Sequence, residues 1–174
     1  MSVWRRSALR CSCTRVNKNA LREQILSRLQ EELALQTRAA QVSREEAISE
    51  ESRPENQYDM HSQEAAYLAE GQARLAAEIA TSIELYTSLP VPNFPAGAPV
   101  ALGAIVVVSS AQGQSHYFLG PRGGGLELQL DGAGILVVTP PSPLGRELLG
   151  KRIGDAVKLP GRQPVGGHRI VAIL

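Results

Sequence analysis

The sequence is poor in cysteine and in long apolar runs, and each shortage argues against a class of protein. Its two cysteines, Cys11 and Cys13, stand one residue apart, a spacing that favours neither a disulfide framework nor a zinc site. No apolar run approaches the roughly 20 residues that a membrane-spanning helix needs. The basic N-terminal stretch also lacks the continuous apolar core of a secretory signal. A cytoplasmic protein without a membrane partner is therefore expected.

Aromatic residues are also scarce, at 4% of the chain, and beyond Gly97 only Tyr117 and Phe118 occur. Neighbours in a strand point to opposite faces of a sheet, so these two rings cannot line one pocket together. The three histidines are scattered, and none can be paired with a nucleophile or an orienting carboxylate. The glycine-rich stretch at 120–127 lacks the Lys-Ser/Thr ending of a phosphate-binding loop. The sequence thus predicts no active site of its own.

The net charge of +1 at pH 7 hides an uneven distribution of charge along the chain. Basic residues crowd the N-terminus, whereas Arg53 is the only full positive charge between Glu45 and Glu64. Residues 1–17 are predicted to form a basic, disordered tail. The alternatives are that this tail binds nucleic acid, or that the natural chain starts near Val16.

Two amphipathic runs predict a pair of long helices. The first begins near Asn19 and meets no glycine or proline before Pro54, so the reversal is predicted at 50–56. At 1.5 Å per residue, such a first helix is about 45 Å long. Residues 18–88 are therefore predicted to form a projecting antiparallel coiled-coil hairpin with an acidic tip. The predicted stripes are Leu21, Ile25, Leu29, Leu33, Gln36 and Ala40, then Glu64, Leu68, Gln72, Leu75, Ile79, Ile83 and Tyr86.

The remaining chain has the composition of a small β domain. Prolines make residues 89–98 a semi-rigid linker, and residues 99–174 carry short β-branched runs separated by glycine-rich turns. The "DGAG" at 131–134 is a natural hairpin reversal. A short helix is predicted with Ser142 as N-cap, Pro143 at its first position, an apolar face of Leu144, Leu148 and Leu149, and Gly150 after its end. The predicted fold class is α+β, with a helical hairpin followed by a small antiparallel sheet packed by one helix.

Several stretches resemble the Gre family of bacterial transcription elongation factors (GreA and GreB). They are the long hairpin, the "EN" near a tip tyrosine, "YLAEGQARLAAEI" in the returning helix, the Pro-rich hinge and above all "SPLGRELLGKRIGDAVKLPG". The resemblance covers roughly residues 18–174. It implies a C-terminal FKBP-like domain, that is, a domain with the FK506-binding-protein fold. This domain would dock at the rim of the RNA polymerase secondary channel, and the coiled-coil hairpin would enter the channel. The implied polymerase-binding residues are Ser142, Pro143, Leu144, Gly150, Lys151, Gly154 and Asp155.

The resemblance also gives the acidic tip a role in transcript cleavage. The family's cleavage-competent tips read Asp-Leu-x-Glu-Asn, which aligns with residues 52–56; Glu55 and Asn56 match, but Ser52 replaces the aspartate. With Glu51 as the substitute carboxylate, Glu51, Glu55 and Asn56 would assist the polymerase active site. Glu51 and Glu55 would be ligands of a Mg²⁺ shared with the polymerase. A hydroxyl is a poor substitute for an anionic ligand, so weak or absent cleavage is expected.

The implied function is regulation of transcription elongation by a protein that is not itself an enzyme and has no cofactor of its own. RNA polymerase is the implied partner, with indirect contact to nascent RNA; DNA binding and a monomeric state are also expected. The alternatives are a channel-occupying regulator without cleavage, a peptidyl-prolyl isomerase, and a coiled-coil adaptor that makes no polymerase contact.

Overall fold

The computed structural model describes residues 17–48, 61–130, 132–159 and 167–174. Two long packed helices are followed by a β-sheet with one short helix, which confirms the predicted α+β architecture. In chain order the elements are α1 (Lys18–Ile48), α2 (His61–Ser88), β1 (Ile105–Ser110), β2 (Gly113–Leu119), β3 (Glu127–Leu130), β4 (Ala133–Val138), α3 (Pro143–Leu148), β5 (Ala156–Val157) and β6 (His168–Ile173).

The seam between α1 and α2 follows a seven-residue spacing. Helix α2 buries or half-buries positions 65, 72, 79 and 86, and α1 does the same at 29, 36 and 43. This is the coiled-coil repeat, in which only a narrow stripe of each helix faces its partner. The sequence-based prediction was wrong for Glu64, which is exposed, and for Leu68 and Leu75, which are 55% and 48% exposed. Both leucines lie beside the seven-residue stripe rather than on it.

The sheet has six strands in the order β3-β4-β2-β1-β6-β5. The β3–β4 hairpin pairs Leu130 with Ala133, as the predicted reversal requires. One pairing differs from the antiparallel expectation, because β2 and β4 run parallel. A parallel pair needs a crossover connection, and the segment between these strands provides one by first forming β3 at the edge of the sheet.

Both faces of the sheet are covered. One face packs on the base of the hairpin, so that Leu21, Ile25 and Tyr86 share a core with Phe118 and Ile135. The other face packs on α3 and forms a second core. Its buried members include Val106, Tyr117, Leu119, Leu148 and Ile170. Tyr117 and Phe118 thus lie on opposite faces, as predicted, and the base of the hairpin is part of the same packed body as the sheet.

The proline-rich segment 89–98 is held against α1. The Leu89 side chain is 4% exposed, and its carbonyl oxygen accepts a hydrogen bond of 3.2 Å from Arg22 Nη1. Lys18 Nζ donates to the Pro92 carbonyl and lies 4.6 Å from the centroid of the Phe94 ring. These contacts fix the path of the segment, while the domain boundaries 1–17, 18–88, 89–98 and 99–174 stay a prediction. None of the helices in the described part of the chain combines the length and hydropathy of a membrane span.

Candidate functional site

The predicted site residues fall into two groups. Glu51, Glu55 and Asn56 of the predicted tip lie outside the described residues, and so does the predicted Mg²⁺ site on the two glutamates. The predicted polymerase-binding residues are all described, and they lie along residues 142–155, here called the signature segment. The signature segment is therefore the candidate site that the structure can characterise.

The signature segment begins with a capped helix. Ser142 has an extended backbone, its Oγ accepts a hydrogen bond of 3.0 Å from Gly145 N, and its hydroxyl donates to the Thr139 carbonyl at 2.7 Å. Pro143 occupies the first turn, where a missing N–H costs nothing. A Cβ added to Gly145 would lie 1.9 Å from the Thr139 carbonyl oxygen. The start of α3 therefore packs closely against Thr139, and the Ser142 hydroxyl makes its hydrogen bonds within the protein.

The end of α3 is tied to the segment before β1. Gly150 adopts φ 79°, a left-handed conformation that suits glycine, and its N–H donates to the Val100 carbonyl at 2.9 Å. The Val100 N–H donates in turn to the Lys151 carbonyl at 2.8 Å. This pair of hydrogen bonds fixes the direction in which the chain leaves α3.

The Lys151 side chain makes an ion pair and a hydrogen bond with nearby residues of the chain. Its Nζ lies 3.0 Å from Glu147 Oε1 and donates to the Ala156 carbonyl at 2.6 Å. The Lys158 N–H also donates to Glu147 Oε1, at 3.1 Å. The hydrogen bond from Lys151, followed by the one from Lys158, lowers the pKa of the Glu147 carboxyl below its ordinary value. Lys151 therefore braces the turn that follows α3.

The turn at residues 152–155 is anchored to β6. Gly154 has φ 95°, and its N–H donates to the Ile170 carbonyl at 2.8 Å. The Ile170 N–H donates back to the Asp155 carbonyl at 3.0 Å, while Asp155 Oδ2 accepts from the Arg152 N–H at 2.8 Å. Gly154 and Asp155 thus hold the turn in shape, and the Asp155 carboxylate closes it from within.

Two apolar residues of the signature segment remain at the surface. Leu149 and Ile153 are each 48% exposed, whereas Leu148 is fully buried in the core beneath α3. The prediction that Leu149 belongs to the buried face was wrong, because α3 ends at Leu148 and the backbone of Leu149 has left the helical conformation, with ψ 129°. Ile153 was not singled out from the sequence. Its position inside a short polar turn, between Arg152 and Gly154, is the signal that could have found it.

No metal centre is present in the part of the chain that the structure describes. Over those residues, no group of three or more His, Cys, Asp or Glu side chains could hold a metal ion. The signature segment instead presents a shaped surface to solvent. That surface carries two exposed apolar side chains on a backbone braced by glycines and hydrogen bonds.

Comparisons with known proteins give matches among solved structures. The GreA factor homolog 1 (Gfh1) protein of Thermus thermophilus is 24% identical, with 86% of this chain and 94% of that chain covered and a TM-score of 0.33. Gfh1 of Thermus aquaticus is also 24% identical, with 87% of this chain and 92% of that chain covered and a TM-score of 0.35. No family model and no curated protein matches. Similarity at this level assigns no activity to this chain.

Proposed function

We propose that this protein is a Gre-type regulator of transcription that binds RNA polymerase through the signature segment. The observation that supports this most directly is the exposure of Leu149 and Ile153 on a braced backbone. Exposed apolar side chains of this size have no role in the core beneath them, and interface centres are typically apolar with a polar rim. Arg146 precedes the pair in the sequence and Arg152 lies between its two members; both are exposed and suit such a rim.

The hairpin supplies the second half of the proposal. Because its base shares a core with the sheet, docking of the sheet domain would also set the direction of the hairpin. Helix α1 has 31 residues, which corresponds to about 45 Å of reach. We propose that this length carries the acidic residues between α1 and α2 into the secondary channel of the polymerase.

At the polymerase active site, the proposed contribution of this chain is carboxylates. Glu51 and Glu55 would add oxygen ligands to a Mg²⁺ that the polymerase also holds, with Asn56 beside them. Because Ser52 stands where the family has aspartate, the chain offers a weaker ligand set, and regulation by occupying the channel would dominate over cleavage. The polymerase remains the catalyst, and the cytoplasm follows as the site of action.

A binding measurement tests the docking surface. Purified bacterial RNA polymerase is titrated with the wild type, with a Leu149→Asp/Ile153→Asp variant, and with Val171→Asp as control. Val171 is 39% exposed and lies in β6, outside the signature segment. We expect loss of binding of at least about tenfold for the double variant only, as for interface hot spots. Equal binding by all three proteins would contradict the assignment of the surface.

A transcript assay separates the two modes of action. Backtracked elongation complexes are incubated with Mg²⁺ and the protein, and the RNA is examined for shortened transcripts and for altered extension rate. Altered extension with little shortening supports channel occupation, whereas no change in either quantity at saturating protein would contradict a role at the polymerase.

The isomerase alternative finds no support in the sheet domain. Phe118 is completely buried in the core that the sheet shares with the hairpin, and Tyr117 is 8% exposed on the opposite face. No pocket can therefore be lined by both rings.

A further inference from the structure

The hairpin changes character along its length. At the base, Leu21, Ile25 and Leu29 of α1 are buried in the core shared with the sheet. Beyond Leu29, the next buried residue of α1 is Ser43, and on the distal part of α2, from residue 63 onward, Ala65 is buried. The distal seam is thus made of small and polar side chains, and it buries far less apolar surface than the base.

Among the described residues of this weak seam, a hydrogen bond joins the two helices. Ser43 is 6% exposed, and its Oγ donates to Gln72 Oε1 at 3.1 Å. Buried polar pairs on a coiled-coil seam add less stability than apolar residues, but they fix which positions face each other. If the serine hydroxyl were lost, the half-buried Gln72 amide would have to turn toward water to regain a partner.

Helix α2, which faces Ser43, contains a destabilising residue next to Gln72. Gly71 lies in the interior of α2, and a Cβ added there would meet no atom within 4 Å, so close packing does not require a glycine. Glycine inside a helix lowers its stability relative to alanine. The neighbouring Leu68 and Leu75 are 55% and 48% exposed, so the large apolar side chains of this stretch add little to the seam.

We propose that the Ser43–Gln72 hydrogen bond is a clasp that keeps the distal half of the hairpin closed, and that this half opens independently of the base. The distal half comprises the described residues 36–48 and 63–75. Ser43 and Gln72 are then positioning residues, because they fix where α1 and α2 present their distal ends. The consequence for RNA polymerase rests on the proposed function, whereas the clasp itself does not.

Distances between spin labels test the clasp directly. In a Cys11→Ser/Cys13→Ser background, nitroxide labels are placed on a distal pair, Glu45→Cys with Glu70→Cys. A basal pair, Glu31→Cys with Glu84→Cys, is labelled in a second protein; all four glutamates are exposed. We expect the Ser43→Ala substitution to broaden the distance distribution of the distal pair and to leave that of the basal pair unchanged.

Hydrogen exchange and matched variants complete the test. In Ser43→Ala, amides of residues 36–48 and 63–75 should exchange about fivefold faster, while those of 18–29 and 79–88 keep the wild-type rate. Ser27→Ala removes an exposed hydroxyl from the same helix and should change neither measurement.

The double variant Ser43→Ala/Gln72→Met replaces both partners with apolar groups of similar shape, so it should restore the narrow distal distribution. Unchanged distal distances in Ser43→Ala, or equal broadening of both pairs, would overturn the proposal. Since no polymerase is present, neither result depends on the proposed function.

Discussion

Tyr86 of α2 is locked against Gly120, the residue that follows β2. The Tyr86 side chain is completely buried, and its hydroxyl donates to the Arg122 carbonyl at 2.6 Å. A Cβ added to Gly120 would lie 2.2 Å from the Tyr86 hydroxyl oxygen. Because Tyr86 belongs to the hairpin and Gly120 to the sheet domain, this contact joins the two parts of the protein.

Gly120→Ala should therefore destabilise the junction. The added methyl group overlaps the tyrosine hydroxyl, and overpacking of this kind costs about 1–3 kcal/mol of unfolding free energy. Urea denaturation measures the loss. Tyr86→Phe, which removes only the hydroxyl, should cost about 1 kcal/mol on its own and should relieve part of the Gly120→Ala penalty when the two are combined. Additive losses in the double variant would show that the contact is not responsible.

Gly145→Ala should damage the signature segment. A Cβ at this position would overlap the Thr139 carbonyl oxygen, a backbone atom that cannot rotate away, so α3 would have to shift from its seat. We expect a loss of about 1–3 kcal/mol in unfolding free energy, measured by chemical denaturation. Ser142→Ala, which removes the cap without overlap, should cost about 1 kcal/mol. A neutral Gly145→Ala variant would mean that the close approach of α3 is not rigid.

Gly71→Ala should instead increase the free energy of unfolding. The position is helical and the space around an added Cβ is open, so the substitution gains helix propensity without overlap. We expect stabilisation of about 0.5–1 kcal/mol. Slower hydrogen exchange of the surrounding α2 amides, in the native protein, is the measurement. A destabilised variant would indicate that the glycine serves a need other than space.

Lys18 should make stability depend on pH in the alkaline range. Burial lowers its pKa from 10.5 to about 8. Between these values the unfolded chain holds a proton on Lys18 that the folded chain has released, so raising the pH through this window favours the folded state. The unfolding free energy of wild type minus that of Lys18→Met should increase from pH 7.5 to pH 10. A constant difference would show that the amine titrates normally in the folded protein.

Ser52→Asp should raise transcript cleavage if the proposed function holds. Two anionic ligands hold a hard divalent ion better than one, and the substitution supplies the carboxylate that the family pattern has at this position. The comparison is made on backtracked complexes with Mg²⁺, with the tip sequence Asp-Leu-Lys-Glu-Asn as a second variant. Glu55→Ala should then abolish cleavage without weakening polymerase binding. Wild-type cleavage as fast as that of the Asp-Leu-Lys-Glu-Asn tip would identify Glu51 as a sufficient ligand.

The sequence by itself determined the elements whose cause is local. The spacing of Leu21, Ile25 and Leu29 without an intervening glycine or proline defines a helix, and Ser142 with Pro143 defines where α3 begins. The reversal predicted at 131–134 likewise leads to the β3–β4 hairpin. In the candidate site, the sequence singled out the signature segment through its resemblance to a family. These features depend on residues within about one helical turn or one reversal.

Only the tertiary structure decided which of these residues are buried and what they contact. Leu68 and Leu75 are excluded from the seam because the partner helix covers a single narrow stripe, and the parallel pairing of β2 with β4 depends on where β3 lies. The same holds in the site, where Lys151 and Asp155 brace the backbone while Leu149 stays exposed. Burial in particular depends on groups distant along the chain, because the free energy of burying a side chain depends on what packs over it.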